Sequence, residues 1–225
     1  MVRHYPINMN LEGRLVVIVG GGRVAERKAK RLVEAGAKLV VVSPVLTGPL
    51  ALLAAEGKLL HLCRVYQPGD LTGAVLSFAA TDAPVVNRMV VEEARALSIL
   101  IDSVDAPRES DFATPAVLQQ GELLITVSTG GASPVLARRI VEQLEPLFGS
   151  EYSEAVALLG TVREKLLTEK VGNAYNDPVF AELAALDLPT LIRTGQRDAI
   201  DQILQKLSAT GATSDSVGAG KKDPS

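Results

Sequence analysis

The sequence predicts an α/β protein: an open, parallel sheet, then a hairpin-and-helix region, then a small helical C-terminal domain. Three observations carry that prediction. Runs rich in valine, leucine and isoleucine recur through the first hundred residues, segments of helical spacing separate them, and the runs are apolar throughout rather than alternating. Strands alternating with helices make a parallel sheet with crossover helices. Unbroken apolar strands suit a sheet buried on both faces.

The elements follow in order. "RLVVIVG" (14–20) is the first strand. From Val24 to Ala35 a helix sets Ala25, Ala29, Leu32 and Val33 on one face and Arg23, Glu26, Arg27, Lys30, Arg31 and Glu34 on the other. Gly36 ends it. "KLVVVS" (38–43) is a strand, 47–57 a helix, 59–65 a strand, and 74–81 another strand. The helix over 82–98 opens on Asp82 as cap with Pro84 in its first turn, and 99–104 is the fifth strand. After Pro107 the pattern changes. Strands near 112–118 and 122–128, joined by Gln-Gln-Gly, read as a hairpin or an exchanged ribbon. Ser133 and Pro134 then start a helix over 133–148. Helices are expected over 151–170, 178–185 and 197–207, and a flexible tail from Ser208, where small polar residues leave little to bury. The expected domains are 1–111, nucleotide-binding and Rossmann-like; 112–148, for dimerisation and a substrate loop; 149–207, helical; and 208–225, the tail.

Bulk properties narrow the function. The 225 residues are 47% hydrophobic and 22% charged, so a core can form, and the net charge of -3 supplies no general attraction for nucleic acid. Cys63 is alone, which rules out an internal disulfide, and it reads as a core residue of its strand. With only His4 and His61 there is no zinc-ligand spacing. No signal-peptide or membrane-spanning run occurs, so a soluble, cytoplasmic protein is expected.

Gly20-Gly21-Gly22-Arg23-Val24-Ala25 fits G-x-G-x-x-A between a strand and a helix. That context makes it a candidate pyrophosphate loop: glycines permit the turn and the close approach, and the helix N-terminus faces the anion. The acid that usually follows the second strand and meets the ribose is absent; Ser43-Pro44-Val45 stand there. Ribose contacts could come from Ser43, from the backbone after Pro44, or from Thr81-Asp82, where Asp82 serves equally well as a helix cap. The residues do not choose between NAD and NADP. "DSVDAP" (102–107) lies at a strand's carboxyl end, where open α/β sheets bind ligands. Asp105 is either a proton acceptor or a turn former, while Asp102, inside the strand, pairs with a base or faces solvent. "STGGASPVLARR" (128–139) is a second glycine-rich lead-in to a helix. Ser128, Thr129, Gly130, Gly131, Ser133 and Arg138 are candidates for holding an anionic substrate.

Four stretches, "YPINMNLEGRLVVIVGGGRVAERKAKRLVEAGA", "AATDAPVVN", "DSVDAP" and "STGGASPVLARR", together resemble the precorrin-2 dehydrogenases of the siroheme synthase family, in the same order and over about residues 5–165. The resemblance implies NAD-dependent oxidation of precorrin-2 to sirohydrochlorin, and an intertwined homodimer. Some members also insert ferrous iron as a second substrate. It implies that Gly20 to Val24 and Ser43 to Val45 surround NAD, and that Asp105 serves dehydrogenation. Thr129 stands where some bifunctional relatives have serine, which puts chelation in doubt here. Two rivals remain: a nucleotide sensor without turnover, and a protein that only chelates.

Overall fold

The computed structural model describes residues 4–169 and 178–211. The chain divides into two units, 1–114 and 115–225. The division falls after Thr114 rather than after residue 111, because Phe112 still packs edge-on against Phe78 of the first unit, with ring centroids 5.6 Å apart.

In the first unit the valine and leucine runs form one parallel sheet: β1 (Leu15–Val19), β2 (Lys38–Val42), β3 (Leu59–Leu62), β4 (Leu76–Ala79) and β5 (Leu100–Ser103), in the order β3-β2-β1-β4-β5. Central β1 explains why the runs are apolar throughout. Side chains alternate across a strand, so Val16 and Ile18 enter one cluster with Ala25, Ala29, Leu32 and Leu50, while Val17 and Val19 enter the other with Val90, Val91, Ala94 and Ile101. Helices α1 (Arg23–Glu34) and α2 (Gly48–Ala55) supply the first cluster, and α3 (Pro84–Ala96) supplies the second. Covering both faces leaves no place for a polar residue on β1, and Val16, Val17 and Ile18 are completely buried.

One charged residue breaks that rule. Lys28, which belongs to neither face of the expected amphipathic pattern, lies on the buried side of α1. Its Nζ meets Asp102 Oδ2 of β5 at 2.7 Å and the Thr114 hydroxyl at 3.3 Å, and stands 4.5 Å from the centre of the Phe78 ring. Asp102 therefore pairs with a base. Cys63 departs from expectation: β3 ends at Leu62, and the cysteine is exposed, its thiol directed at the Pro44 carbonyl. The short strand stops where its backbone turns away from β2, so Cys63 never reaches the core.

In the second unit β6 (Ala116–Gln120) and β7 (Leu123–Val127) form an antiparallel hairpin, as expected, but the first strand begins at Ala116 rather than near 112 and takes in Gln119 and Gln120, so that Gly121-Glu122 make the turn. Then come α4 (Pro134–Leu144), a single 3-10 turn (Glu145–Leu147), α5 (Ser150–Glu169), α6 (Pro178–Ala185), α7 (Leu188–Arg193) and α8 (Asp198–Gly211). Ala155, Leu188 and Ile200 centre a small core among α5, α7 and α8. Helix α7 was not expected; Asp187 caps it by accepting from the Thr190 N–H at 3.2 Å, and Leu188 buries itself. Helix α8 runs to Gly211, past the expected start of the tail, whose residues 212–225 lie outside those described. Among the described residues no helix is long and apolar enough to cross a membrane.

Candidate active site

The strand order reverses between β1 and β4, and the loops leaving those strands flank the crevice where such sheets hold ligands. Each glycine of the loop after β1 answers to a different neighbour. Gly20 has φ +125°, and a Cβ there would stand 2.2 Å from the Ala80 carbonyl oxygen at the exit of β4. A Cβ on Gly21 would stand 2.0 Å from the Val45 carbonyl oxygen and 2.7 Å from Ser43 Oγ, at the exit of β2. The motif leaves that second position free, so the need for glycine at Gly21 was not visible in the spacing. Beside Gly22 nothing lies within 4 Å of a Cβ. Gly22 also caps α1 without any side-chain hydrogen bond. The first N–H groups of a helix have no acceptor within it; those of α1 are therefore left for an outside acceptor, and the helix dipole favours an anion there. The exposed Arg23 and half-buried Val24 begin that helix. The cradle suits the pyrophosphate of a dinucleotide.

Two substitutions test this. Gly22→Asp fits sterically but puts a carboxylate into the phosphate space, and should abolish dinucleotide binding. Gly21→Ala should also abolish it, by forcing apart the exits of β1 and β2. Calorimetric titration with NAD measures both; unchanged affinity in Gly22→Asp would reduce the loop to a turn.

The Ser43-Pro44-Val45 turn is held from beneath. Ser43 is buried, and its hydroxyl donates to the Val45 carbonyl at 2.8 Å. His61 Nε2 lies 2.8 Å from the Ser43 carbonyl; since a carbonyl only accepts, that nitrogen carries the hydrogen. Ser43 thus shapes the turn with its hydroxyl, and the exposed Val45 presents the surface. Across the crevice, Asp82 does not cap α3: the N-cap is Ala83, with no side-chain bond. Thr81 makes the turn instead, accepting from the Ala83 N–H at 3.1 Å. This leaves Asp82 exposed at the end of β4.

Beneath Thr81 sits the last residue of the stretch "AATDAPVVN", to which the sequence reading assigned no role of its own. Asn87 is buried, and its Oδ1 accepts from the Thr81 N–H (3.1 Å) and hydroxyl (2.7 Å), while its Nδ2 donates to the Thr81 carbonyl (3.0 Å). A signal existed: at helical spacing from Val90, Val91 and Ala94, an asparagine interrupts an apolar stripe.

Asp105 follows β5 and is exposed. The hydroxyl of buried Ser103 donates to its Oδ1 at 2.8 Å. Its limited burial pushes the carboxyl upward, but the nearby polar groups of Asn87, Ser103 and its own backbone, with the positive charge of Arg88, outweigh that and hold it below the usual aspartate value. Asp105 is therefore an ionised carboxylate at neutral pH.

In the second unit the loop before α4 spends its hydroxyls on itself. Ser128 Oγ accepts from the Gly130 N–H, Thr129 Oγ1 from the Ser133 N–H, and Ser133 Oγ from the Leu136 N–H. Pro134 has no N–H to offer. The N-terminus of α4 is thus closed by its own cap where that of α1 is open, and the exposed Arg138 and Arg139 are its nearby cations.

A cavity of about 450 Å³ lies elsewhere in the first unit, lined by Tyr66, Pro68, Met89, Glu92, Glu93 and Leu97 among others. It contains none of the glycine-loop residues. Two glutamates there repel an anionic nucleotide, and Glu93 is already engaged by the Tyr66 hydroxyl and the N–H groups of Gly69 and Leu71. The open helix end, rather than this hollow, has the chemistry for phosphate.

Residues 7–116 match a family described as "Putative NAD(P)-binding". Siroheme synthase 1 of Aeromonas salmonicida (strain A449) is 36% identical over 226 residues, 98% of this chain and 48% of its own length. Nearly the whole of this chain is similar to about half of a siroheme synthase. A siroheme synthase of Methylobacillus flagellatus is 37% identical over 228 residues, 97% of this chain and 48% of its own, and one of Pseudomonas putida (strain W619) is 44% identical over 163 residues, 72% and 35%. The chain thus spans about half the length of these siroheme synthases. Among solved structures, one titled "SirC, precorrin-2 dehydrogenase" superposes with a TM-score of 0.71 at 26% identity, covering 90% of this chain and all of that one. Its agreement extends through both units, well beyond the nucleotide-binding part shared by the family model.

Proposed function

We propose that this chain is a cytoplasmic precorrin-2 dehydrogenase that uses NAD and yields sirohydrochlorin. The observation that carries the proposal is an open phosphate cradle at Gly22, after β1, together with an ionised, hydrogen-bonded carboxylate at Asp105, after β5, at the carboxyl end of one parallel sheet. Likeness to a precorrin-2 dehydrogenase over that structure's whole length supports the substrate.

Bound NAD supplies the hydride acceptor. Gly20 to Val24 hold its pyrophosphate, Ser43 to Val45 and Thr81-Asp82 flank its ribose. Asp105 does the protein's own chemistry. Loss of a hydride leaves the macrocycle cationic, and an anion beside it stabilises that charge. The proton then released comes from a strongly acidic cation, so a carboxylate of low basicity suffices to accept it. Its depressed pKa suits this role better than that of a strong base. Precorrin-2 is a polycarboxylate; Arg138 and the loop from Ser128 through Thr129, Gly130 and Gly131 to Ser133 are proposed to meet its acidic arms.

Pure protein mixed with precorrin-2 and NAD should form NADH stoichiometrically with sirohydrochlorin. Binding of NAD without NADH would instead favour a sensor. The same mixture with ferrous ion tests chelation as a second activity, with iron as substrate. NAD should bind more tightly than NADP, and a tighter NADP constant would overturn that preference.

We further propose a two-fold homodimer. Strands β6 and β7 form a two-stranded sheet with Leu124 substantially exposed. Such edges invite pairing, and a second copy meets them symmetrically. Light scattering should give twice the chain mass at micromolar concentration; a monomer there would contradict the assembly.

A further inference from the structure

Arg64 stands two residues past β3, and the fold carries it to a place that its distance in sequence from Ser43 hides. Strand β3 runs parallel beside β2. At the carboxyl ends of the two, the Ser43 N–H donates to the Leu62 carbonyl at 3.1 Å, and the Cys63 thiol reaches the Pro44 carbonyl at 3.4 Å. Arg64 is the next residue, turned back by a 2.8 Å bond from its N–H to the Leu62 carbonyl. A cationic side chain therefore leaves the backbone beside the Ser43-Pro44-Val45 turn, where an arginine in such folds receives the 2′-phosphate of NADP. Its guanidinium is already taken. Nη1 and Nη2 donate to the two carboxylate oxygens of Asp70 at 2.7 and 2.6 Å, and Nη1 also donates to the Val65 carbonyl at 3.0 Å. This two-pronged grip is the one with which arginine otherwise holds a phosphate. Asp70 is fixed in turn: its side chain is 8% exposed and accepts from the Gln67 N–H at 2.9 Å. The hydrogen bonds from Arg64 hold its carboxyl below the usual aspartate value.

We propose that Asp70 is a specificity-determining residue for the nucleotide: by clasping Arg64 it withholds the guanidinium from a ribose 2′-phosphate, so that the site favours NAD over NADP. The inference rests on the reading of Ser43 to Val45 as the ribose seat. That turn holds neither the usual acid to select a 2′-hydroxyl nor a basic side chain to select a 2′-phosphate. Discrimination then falls on the competitor. A 2′-phosphate must draw Arg64 away from Asp70 or lie without a counter-charge near a carboxylate, and a 2′-hydroxyl needs neither. An ion pair that served only the fold would have no bearing on which of two dinucleotides binds better.

Calorimetric titration of the full chain with NAD and with NADP tests this. Asp70→Asn keeps an acceptor for the Gln67 N–H but removes the charge that holds Arg64. It should tighten NADP binding by about ten- to a hundredfold, the worth of hydrogen bonds to a charged group, and leave NAD binding nearly as it was. Adding Arg64→Gln should abolish that gain, and raising the salt concentration should shrink it. Asp70→Ser, whose hydroxyl also accepts from a turn N–H, is the second variant, and melting curves establish which of the two is folded. Val45→Arg tests the seat itself, since an unpaired guanidinium on that exposed residue should tighten NADP whatever Arg64 does. A gain from Val45→Arg with none from a folded Asp70 variant overturns the proposal and leaves the ribose seat standing. A gain in Asp70→Asn that survives Arg64→Gln overturns it as well. No gain from Val45→Arg or from the Asp70 variants, with NAD still bound, moves the ribose away from the turn and overturns both.

Discussion

Asp105→Ala should leave NAD affinity near the wild-type value and slow NADH formation by about a hundred- to ten-thousand-fold, the range for loss of a general base. Binding survives because the phosphate cradle follows β1, whereas Asp105 follows β5, with β4 between them. The carboxylate is the active form. Because its pKa lies below the ordinary aspartate value, that form persists as pH falls through the usual range, and is lost only below it. The acid limb of the rate should therefore lie below about pH 3.9, as far down as the fold survives. Single-turnover NADH formation, monitored with precorrin-2 at saturating NAD, is the measurement. Wild-type rates in the variant would place the proton acceptor elsewhere, in solvent for example.

The second large effect concerns stability. Asp102→Ala should destabilise the first unit by about 3–5 kcal/mol, since it strands the Lys28 ammonium in the interior. The pair is well buried, with side-chain exposures of 8% for Lys28 and 16% for Asp102, and Ser110 Oγ donates to Asp102 Oδ1 at 3.3 Å. For a unit of this size the melting temperature should fall on the order of 15 °C or more. Replacing both partners, Lys28→Met with Asp102→Leu, should recover much of the loss, because no charge is then buried alone. A single variant melting within a few degrees of wild type would show that water reaches Lys28. Asp102 and Asp105, three residues apart, thus separate cleanly: one is read by melting, the other by rate.

Much of the first unit was legible because β1 is apolar on both faces and β2 and β4 nearly so, a pattern that a doubly covered sheet requires. Where the chain met solvent or another element's backbone, local signals misled. Asp82 before Ala-Pro reads as a helix cap, yet Thr81 takes the turn and Ala83 the cap, because Asn87 already holds Thr81. Cys63 has a core residue's composition, but β3 ends one residue earlier. Lys28 could not be placed from α1 alone, since its partner lies 74 residues away. Ser133-Pro134 correctly announced a helix start, but the same cap consumes N–H groups expected to meet an anion.

By itself, the sequence determined the period of the strands and helices, the glycine loop between β1 and α1, and the two aspartates around β5, because these depend on neighbours within a few residues. The tertiary structure alone decided which aspartate is buried against lysine and which is exposed. It also decided that Gly21 must lack a side chain, and that the buried Asn87 holds the Thr81 turn. Those outcomes depend on β1, β2, β4 and β5 lying side by side, and distances across a sheet are set by strand order, which residue spacing along the chain does not encode.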